Sequence, residues 1–315
     1  MALFRALESN APAEHRLFTD VFAQEFLRPS LHLVVQVARL RLLGVLASRV
    51  LDWRWPGART SGIARTRFID DACLQALREG FEQVVILGAG FDARAYRLPG
   101  MEKIRVFEVD HPDTSAEKQR HLRHLFALIP SHAVFVAVDL TERHLDEAMQ
   151  AAGFDPLRRA LFLWEGVTNY LSAEAVDATF RFMSATAPGS RMLFTYVHRD
   201  VLDHPAAFAG TRLLVRTLRH VGESWTFGFD PAELPAYLQQ RGLTLLADVG
   251  SVEYRTRYLG QEEHHLRGYT FYRVAEAEVS PRSAPRDRLT PAKVSTSLTD
   301  SGESDKHAKG LSSPS

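Results

Sequence analysis

Short apolar runs and longer periodic stretches alternate along this chain, and they predict strands and helices respectively. The clearest run, residues 84–87, leads directly into Gly88 and Gly90 and then into a segment typical of a short helix start. A short apolar run bounded by glycines is typical of one buried strand. Residues 84–97 therefore predict a strand that turns through glycines into a helix, which leaves backbone N–H groups facing a ligand.

Seven apolar segments in all have the pattern of strands, and helical segments separate most of them. Residues with helical periodicity predict helices at about 112–128, 142–151, 172–188, 201–220 and 231–241. Strands that alternate with helices form parallel sheets, whereas the polar stretch 251–267 permits the final strand to return antiparallel. The predicted fold class is α/β, with a doubly wound, mostly parallel seven-stranded sheet and an antiparallel last strand. The strands are predicted at 84–87, 103–109, 133–138, 160–164, 191–197, 243–249 and 269–274.

The sequence pattern divides the chain into three parts. Residues 1–80 are predicted to form an N-terminal helical cover, with helices at about 12–28, 31–50 and 64–79 and a loop at 53–62. Residues 81–276 hold the predicted sheet. From residue 277 to residue 315, Ser, Pro, Thr, Lys and Asp replace the apolar pattern, which predicts a disordered tail.

Composition and charge narrow the possible function classes. The chain carries 38 basic and 38 acidic side chains, so neither nucleic acid nor a membrane is predicted as a partner. Cys73 is the single cysteine, which excludes an intrachain disulfide and a structural zinc finger. Three arginines interrupt the apolar stretch 31–51, so it predicts an amphipathic helix packed on the domain, with a membrane-surface helix as the alternative. The opening residues lack a signal-peptide core, which predicts a cytoplasmic location.

Chemically distinctive residues follow the first four predicted strands. The glycine turn follows the first strand, and Asp110, Asp139 and Glu165 follow the next three. Ligands of open parallel sheets bind outside the carboxyl ends of the strands, so these residues predict one ligand cleft. Asp110 lies where an acidic side chain can accept hydrogen bonds from ribose hydroxyls, although it could instead cap the next helix. Asp139 and Leu140 could contact an adenine through a side-chain oxygen and a backbone N–H.

The glycine turn alone does not identify the cofactor. The spacing of Gly88, Gly90 and Ala93 satisfies a relaxed dinucleotide fingerprint, but Asp92 and Arg94 place charge where a diphosphate would approach. An acidic cleft suits a cationic sulfonium better than a diphosphate. Arg65 lies near the start of a predicted helix, where the helix dipole disfavours a cation, so it is either solvated or reserved for an anion.

Several segments together resemble the leucine carboxyl methyltransferase family, a branch of the class I S-adenosylmethionine-dependent methyltransferases with a Rossmann-like fold. They are VVILGAGFDARAYRL, FEVDHP, LFLWEGVTNYLSAEAV, the opening ALFRALESNAPAEHRLFTDVFAQEFL and RTRFIDD, and the resemblance covers residues 2–275. It implies S-adenosylmethionine as the cofactor. It further implies that Arg65 binds the methionine carboxylate, Gly88 lies beneath the cofactor, Asp110 binds the ribose, Asp139 and Leu140 flank the adenine, and Glu165 is the acid of the EG motif.

The catalytic residues and the acceptor stay open at this point. Methyl transfer is an in-line displacement, in which a carboxylate acceptor needs no base and a hydroxyl acceptor benefits from one. The candidate bases are His198, Tyr170, Tyr196 and His111, and no metal site is predicted. Residues 168–170 are more polar than in many relatives, which predicts a more polar acceptor wall. A small-molecule O-methyltransferase is the main prediction, and the alternatives are a protein C-terminal carboxyl methyltransferase and an NAD(P)-dependent oxidoreductase.

Overall fold

A seven-stranded sheet forms the centre of the computed structural model, which describes residues 1–140, 145–208, 211–220, 224–260 and 269–281. Its strand order is β3-β2-β1-β4-β5-β7-β6, with β1 to β5 parallel and β7 antiparallel to both β5 and β6. The predicted fold class is therefore confirmed. The strands are β1 (Gln83–Leu87), β2 (Arg105–Asp110), β3 (Ala133–Ala137), β4 (Ala160–Trp164), β5 (Arg191–Val197), β6 (Leu243–Gly250) and β7 (Tyr272–Val279).

Helices cover the sheet on both faces. Pro112 occupies the first turn of α6, and the hydroxyl of Ser172 accepts a hydrogen bond from the Ala175 N–H at the start of α8, as the sequence predicts. The α-helices are α1 (Ala2–Ser9), α2 (Pro29–Val37), α3 (Arg41–Arg54), α4 (Ala58–Arg78), α5 (Arg94–Arg97), α6 (Pro112–Leu125), α7 (Leu145–Ala151), α8 (Ala173–Ser184), α9 (Asp200–Asp203), α10 (Thr211–His220), α11 (Leu234–Gln239) and α12 (Ser251–Leu259).

The central strand β1 is apolar at four successive positions because both of its faces are buried. Val85 and Leu87 pack with residues of α7, α8 and α11. Val84 and Ile86 pack on the opposite face with residues of α4 and α12. This two-sided burial explains why the strand has no polar alternation. None of the helices in the described ranges is long and apolar enough to cross a membrane.

The N-terminal cover differs from its predicted helices. The helix predicted at 12–28 is wrong, because the structure has turns there and places α1 before them. Asp20 is buried and its carboxylate accepts hydrogen bonds from the Phe22 and Ala23 N–H groups at 3.1 and 3.0 Å. An aspartate that binds nearby backbone N–H groups competes with helix formation. The same carboxylate pairs with Arg5 at 2.9 Å, a contact that the local sequence does not show.

The other differences concern where helices begin and end. The helix predicted at 31–50 is two helices, because the chain turns after Val37 and starts again at Arg41. The predicted loop at 53–62 shortens to the few residues between α3 and α4. The helix predicted at 201–220 is interrupted at Pro205, which begins a 3₁₀ turn, and α12 lies in the stretch predicted as a polar connection.

Strand β7 continues three residues past the predicted domain boundary at 276. Glu276 and Glu278 resemble the polar tail in composition, but they alternate with buried Ala277 and Val279 along the strand. Arg191 on β5 pairs with Glu278 at 3.3 Å, at one end of the β5–β7 pairing. The predicted start of the tail at 277 is therefore wrong, and the rest of the predicted tail, 282–315, lies outside the described residues.

Candidate functional site

A cavity lies at the carboxyl ends of β1 and β4, the point where the strand order reverses direction. In doubly wound sheets this switch point is the usual ligand site. Four of the residues predicted to bind the cofactor line the cavity together, which are Arg65, Gly88, Gly90 and Glu165. The remaining lining residues are Met1, Ala2 and Arg5 of α1, which Met1 precedes, together with Ile86, Leu87, Ala89, Phe91, Asp92 and Gly166.

The glycine turn after β1 requires glycine for two different reasons. Gly88 and Gly90 have φ angles of +62° and +42°, which residues with a Cβ rarely adopt. A Cβ built on Gly88 would also overlap the side chain of Val167, which follows β4. The turn therefore places bare backbone at the cavity wall while the loop after β4 packs closely against it.

Asp110 links the end of β2 to the glycine turn. One of its carboxylate oxygens accepts a hydrogen bond from the Gly90 N–H, and the other accepts one from the His111 N–H at 2.7 Å. His111 is the N-cap of α6, because its ring accepts a hydrogen bond from the Asp113 N–H. The alternative role of Asp110 as the helix cap is therefore wrong. Asp110 lies beside the cavity through its bond to Gly90, and its lone pairs not used by these N–H groups can accept further bonds.

Arg65, Glu165 and Arg94 form a buried row of charges along the cavity. The Nε atom of Arg65 donates to one oxygen of Glu165 at 2.9 Å, and Arg94 Nη1 donates to the other at 2.8 Å. Arg94 also contacts Asp92 at 2.5 Å and Asp70 at 2.7 Å. One guanidinium thus joins three carboxylates from three different elements of the fold.

The row of charges continues to α1. Arg97 contacts Asp70 at 2.6 Å and lies 3.7 Å from Asp20, whose carboxylate also pairs with Arg5. Arg5 in turn donates to the backbone carbonyl of Phe91 in the glycine turn. The whole network balances four arginines against four carboxylates, so it is neutral overall. Its members are Arg5, Arg65, Arg94, Arg97, Asp20, Asp70, Asp92 and Glu165.

The network keeps its buried carboxylates ionised. Burial alone would raise the pKa of Glu165, but Arg94 and Arg65 lower the pKa to about 2. Burial would also raise the pKa of Asp92, but Arg94 and Arg5 together hold this pKa well below the ordinary range. Burial would lower the pKa of Arg65, but Glu165 raises it above its usual value. All three groups are therefore charged at neutral pH.

Arg65 still has hydrogen-bonding capacity toward the cavity. Its Nε atom is bound to Glu165, and its guanidinium carbon lies 5.0 Å from the ring centre of Tyr272. With the residues that the structure describes, its two Nη groups make no hydrogen bond, although the side chain is only 6% exposed. A guanidinium held by one edge and open at the other can bind a carboxylate through two parallel hydrogen bonds.

The predicted adenine contacts lie apart from this cavity lining. Asp139 and Leu140 follow β3, and the Val138 N–H bonds to the Asp110 carbonyl at 2.9 Å, so the segment lies beside the end of β2. Leu140 lines a separate groove beside α8 and packs against the core. Residues 141–144, which continue this segment, lie outside the described part of the chain.

None of the candidate bases lines the described cavity. His198 follows β5, and its Nδ1 accepts a hydrogen bond from the Asp200 N–H at 3.2 Å. Tyr196 donates its hydroxyl to Asp248 at 2.7 Å, and burial together with this carboxylate raises the pKa of Tyr196. His111 caps α6, and Tyr170 is 40% exposed after β4. Within the described ranges no group of three His, Cys, Asp or Glu side chains could hold a metal ion.

The structure adds two charged residues to the network that the sequence did not identify. Arg5 and Asp70 join the network through contacts between distant segments. Both lie in segments that carry the family resemblance, the opening ALFRALESN and RTRFIDD, but nothing in those segments indicates these contacts. The side-chain amide of Asn169 is fully buried and has no hydrogen-bond partner among the described residues, and the same holds for the indole N–H of Trp225. The Thr226 N–H donates to the Asn169 carbonyl at 2.8 Å, so the two segments are neighbours. Asn169 belongs to the polar segment 168–170, from which the sequence predicts a polar acceptor wall.

A comparison with protein-family models identifies the family of this chain, and named relatives were found as well. Residues 1–184 match the family model of leucine carboxyl methyltransferase. A protein from Mycolicibacterium gilvum, provisionally named as an S-adenosyl-L-methionine-dependent methyltransferase, is 45% identical over 52% of this chain. That alignment covers 53% of the relative, so the chain spans about half the length of this curated relative. A Streptomyces coelicolor protein with the same provisional name is 37% identical over 66% of this chain and 71% of its own length.

A solved structure supports the fold. The chain is similar to a methyltransferase, also provisionally named, from Thermobifida fusca YX, with a TM-score of 0.57 and 18% sequence identity. The match covers 87% of this chain and 97% of the other. At this level of identity the likeness concerns the arrangement of strands and helices, and not the ligand or the acceptor.

Proposed function

The chain belongs to the leucine carboxyl methyltransferase family, and we propose that it transfers the methyl group of S-adenosylmethionine to an oxygen atom of a small molecule. The match of residues 1–184 to the family model agrees with the resemblance that the sequence motifs indicated. The main support from the structure is the cavity at the switch point of the sheet, where the glycine turn meets the pair formed by Arg65 and Glu165.

The residues of the cavity fit a cofactor that carries a nucleoside and an amino acid. The Arg65 guanidinium, open at its Nη edge, would hold the amino-acid carboxylate, and Glu165 would keep Arg65 in place. The glycine turn would lie beneath the nucleoside, and Asp110 would accept hydrogen bonds from the ribose hydroxyls. Asp92 and Glu165 are ionised carboxylates in the cavity lining, and Arg5 and Arg65 of the same lining balance their charge, which would suit a cofactor that carries both a carboxylate and a sulfonium.

When bound, S-adenosylmethionine would supply a methyl group on a sulfonium: an oxygen lone pair would attack the methyl carbon in line, the carbon–sulfur bond would break, and S-adenosylhomocysteine would leave as a neutral thioether. The chain's part is to align the acceptor and exclude water. The described lining of the cavity contains no histidine or tyrosine, and its two carboxylates, Asp92 and Glu165, have pKa values lowered by arginines, which makes them weak bases. A carboxylate acceptor needs none, whereas for a hydroxyl acceptor we propose Tyr170 or His198 as the base. Buried Asn169 would contribute polarity on the acceptor side.

The transfer can be tested with S-adenosylmethionine labelled on its methyl group and a fractionated extract. We expect label in the small-molecule fraction, and alkali then separates methyl esters, which release methanol, from methyl ethers, which do not. Label on the C-terminus of a protein would replace the small-molecule acceptor with the protein acceptor. Binding of NAD(P) without binding of S-adenosylmethionine would contradict the methyltransferase assignment and favour an oxidoreductase.

Asp110→Ala should weaken cofactor binding more than it weakens the fold. The substitution removes up to two charged hydrogen bonds to the ribose, each of about 1.5–3 kcal/mol, and the bond that holds the Gly90 N–H. We expect the Kd for S-adenosylmethionine, measured by calorimetry, to rise at least about tenfold. Asp113→Ala is the matched control, because Asp113 is 95% exposed on the next turn. Equal Kd values in the two variants would exclude Asp110 from the cofactor site.

A further inference from the structure

The hairpin formed by α2 and α3 exposes a concentrated set of apolar side chains. Among the described residues, twelve of the twenty exposed large apolar side chains lie between positions 31 and 55. Single exposed apolar residues are normal on any protein, but a contiguous group of this size marks an interaction surface. The group consists of Leu31, Leu33, Val34, Val37, Leu40, Leu42, Leu43, Val45, Leu46, Val50, Trp53 and Trp55, with exposed fractions from 37 to 84%.

Helix α3 is apolar on two opposite sides. Ala47 and Leu51, one turn apart, pack toward the cluster that α1 and α2 form. Leu42, Leu46, Val50 and Trp53 follow one another at spacings of four, four and three residues, so they form one row along the outer side. The inner row of α3 is covered by the protein, whereas its outer row is exposed, and concentrated exposed apolar side chains are typical of an interaction surface.

The charges of the hairpin identify the chemistry of that partner. Asp52 is the single carboxylate between residues 28 and 55, and it is already paired with Arg59 at 2.6 Å. Five arginines occupy the same segment in a chain whose formal net charge is +0. Among the arginines of this segment whose side chains the structure describes, Arg28, Arg39, Arg49 and Arg54 are all exposed.

We propose that the α2–α3 hairpin docks on the surface of a bilayer that contains anionic phospholipids. The apolar row would enter the region between headgroups and acyl chains, and the arginines would contact the phosphates. Trp53 and Trp55, which end the hairpin, are residues that favour the interface between water and lipid. A second copy of the chain fits less well, because a symmetric contact would place the arginines of both copies opposite one another.

This surface favours the alternative that the sequence left open for residues 31–51, a membrane-surface helix, over the expectation of no membrane partner. That expectation relied on the net charge of the whole chain and on packing of the stretch 31–51 against the domain. The structure leaves most of that stretch exposed and gathers positive charge there. Docking is also compatible with the site, since Val35 and Ala38 of the hairpin region pack with Ala6 and Leu7 of α1, the helix that lines the cavity.

The test is flotation of the full chain with two kinds of vesicle, phosphatidylcholine alone and an equal mixture of phosphatidylcholine and phosphatidylglycerol. We expect binding to the mixed vesicles that weakens in high salt, and at least about tenfold weaker binding to phosphatidylcholine alone. Trp53 is 80% exposed, so its fluorescence should shift to the blue on binding, and Trp53→Phe should remove most of that shift. The assay measures binding and not turnover, so its outcome is separate from that of the methyl-transfer experiment.

Two double variants distinguish docking through the hairpin from non-specific hydrophobic binding to vesicles. Leu42→Glu with Leu46→Glu should reduce vesicle binding at least about tenfold and keep the Tm, because both side chains are exposed. Leu128→Glu with Leu157→Glu is the matched control, since both residues are 87% exposed elsewhere. Arg49→Gln should weaken binding to the mixed vesicles about fivefold, because one positive charge near the phosphates is lost. The proposal would be overturned if the wild type did not bind the mixed vesicles, or if the two double variants bound them equally well. It would also be overturned if the wild type were a dimer and only the Leu42→Glu, Leu46→Glu variant were a monomer.

Discussion

Arg94→Met is expected to lower the free energy of unfolding by about 3–5 kcal/mol, the usual effect of removing one partner from a buried ion pair. Arg94 is only 2% exposed and contacts Asp70, Asp92 and Glu165 at 2.5–2.8 Å. Methionine fills much of the same volume but leaves three carboxylates, each at most 16% exposed, without this cation. Burying an uncompensated charge costs more than the lost contacts themselves. Urea unfolding followed by circular dichroism measures the difference.

The control for this prediction is Arg158→Met. Arg158 pairs with Glu82 at 2.6 Å, a distance like those of Arg94, but both side chains are about 60% exposed. An exposed ion pair contributes about 0–1 kcal/mol to folding stability, so the free energy of unfolding of this variant should be close to that of the wild type. If Arg94→Met lowered the free energy of unfolding no more than Arg158→Met does, the contacts of Arg94 would not stabilise the fold.

The effect of Arg94→Met should also depend on pH in a definite direction. The pKa of Glu165 is lowered in the folded chain from 4.5 to about 2 by the two arginines. A lowered carboxylate pKa adds stability above the unfolded-state value, and this stability is lost as the pH falls toward the folded-state value. The difference between wild type and variant should therefore narrow as the pH falls from about 4.5 toward 2. A difference that widened over this range would contradict the role of Arg94 in keeping Glu165 ionised.

The central sheet could be predicted because its signals are local. β1 is a continuous apolar run since both of its faces are covered, and glycines mark where it ends. The same topology places the carboxyl ends of β1 and β4 together, so Gly88, Gly90 and Glu165 could be assigned to one cleft from their positions after strands.

The N-terminal cover and the charge network could not be predicted in this way. Asp20 replaces a helix by turns because it binds two nearby backbone N–H groups and the distant Arg5. Arg65 and Glu165 meet across a separation of 100 residues. No spacing rule links such positions, and only the packing of α4 on the sheet brings them together. Periodicity also identified α3 as helical but did not show that its outer side stays exposed.

Arg65→Lys is expected to keep the fold and to weaken binding of S-adenosylmethionine about tenfold or more. Arg65 uses Nε to bind Glu165 and leaves both Nη groups for a carboxylate. Lysine has one ammonium group, so it can satisfy Glu165 or the ligand but cannot copy the paired bonds of a planar fork. Arg67→Lys is the matched control, because Arg67 lies two residues away on α4 and its side chain is 41% exposed.

The decisive measurement compares two ligands in calorimetry. Wild type and Arg65→Lys should bind with similar affinity to an S-adenosyl analogue that lacks the amino-acid carboxylate, because the altered contact is then missing in both proteins. The affinity difference should appear only with the intact cofactor. If removal of the carboxylate weakened binding by the same factor in both proteins, Arg65 would not contact that group. The Nη edge of Arg65 would then need another anion, because a buried guanidinium is stable only where its charge and its hydrogen-bond donors are satisfied.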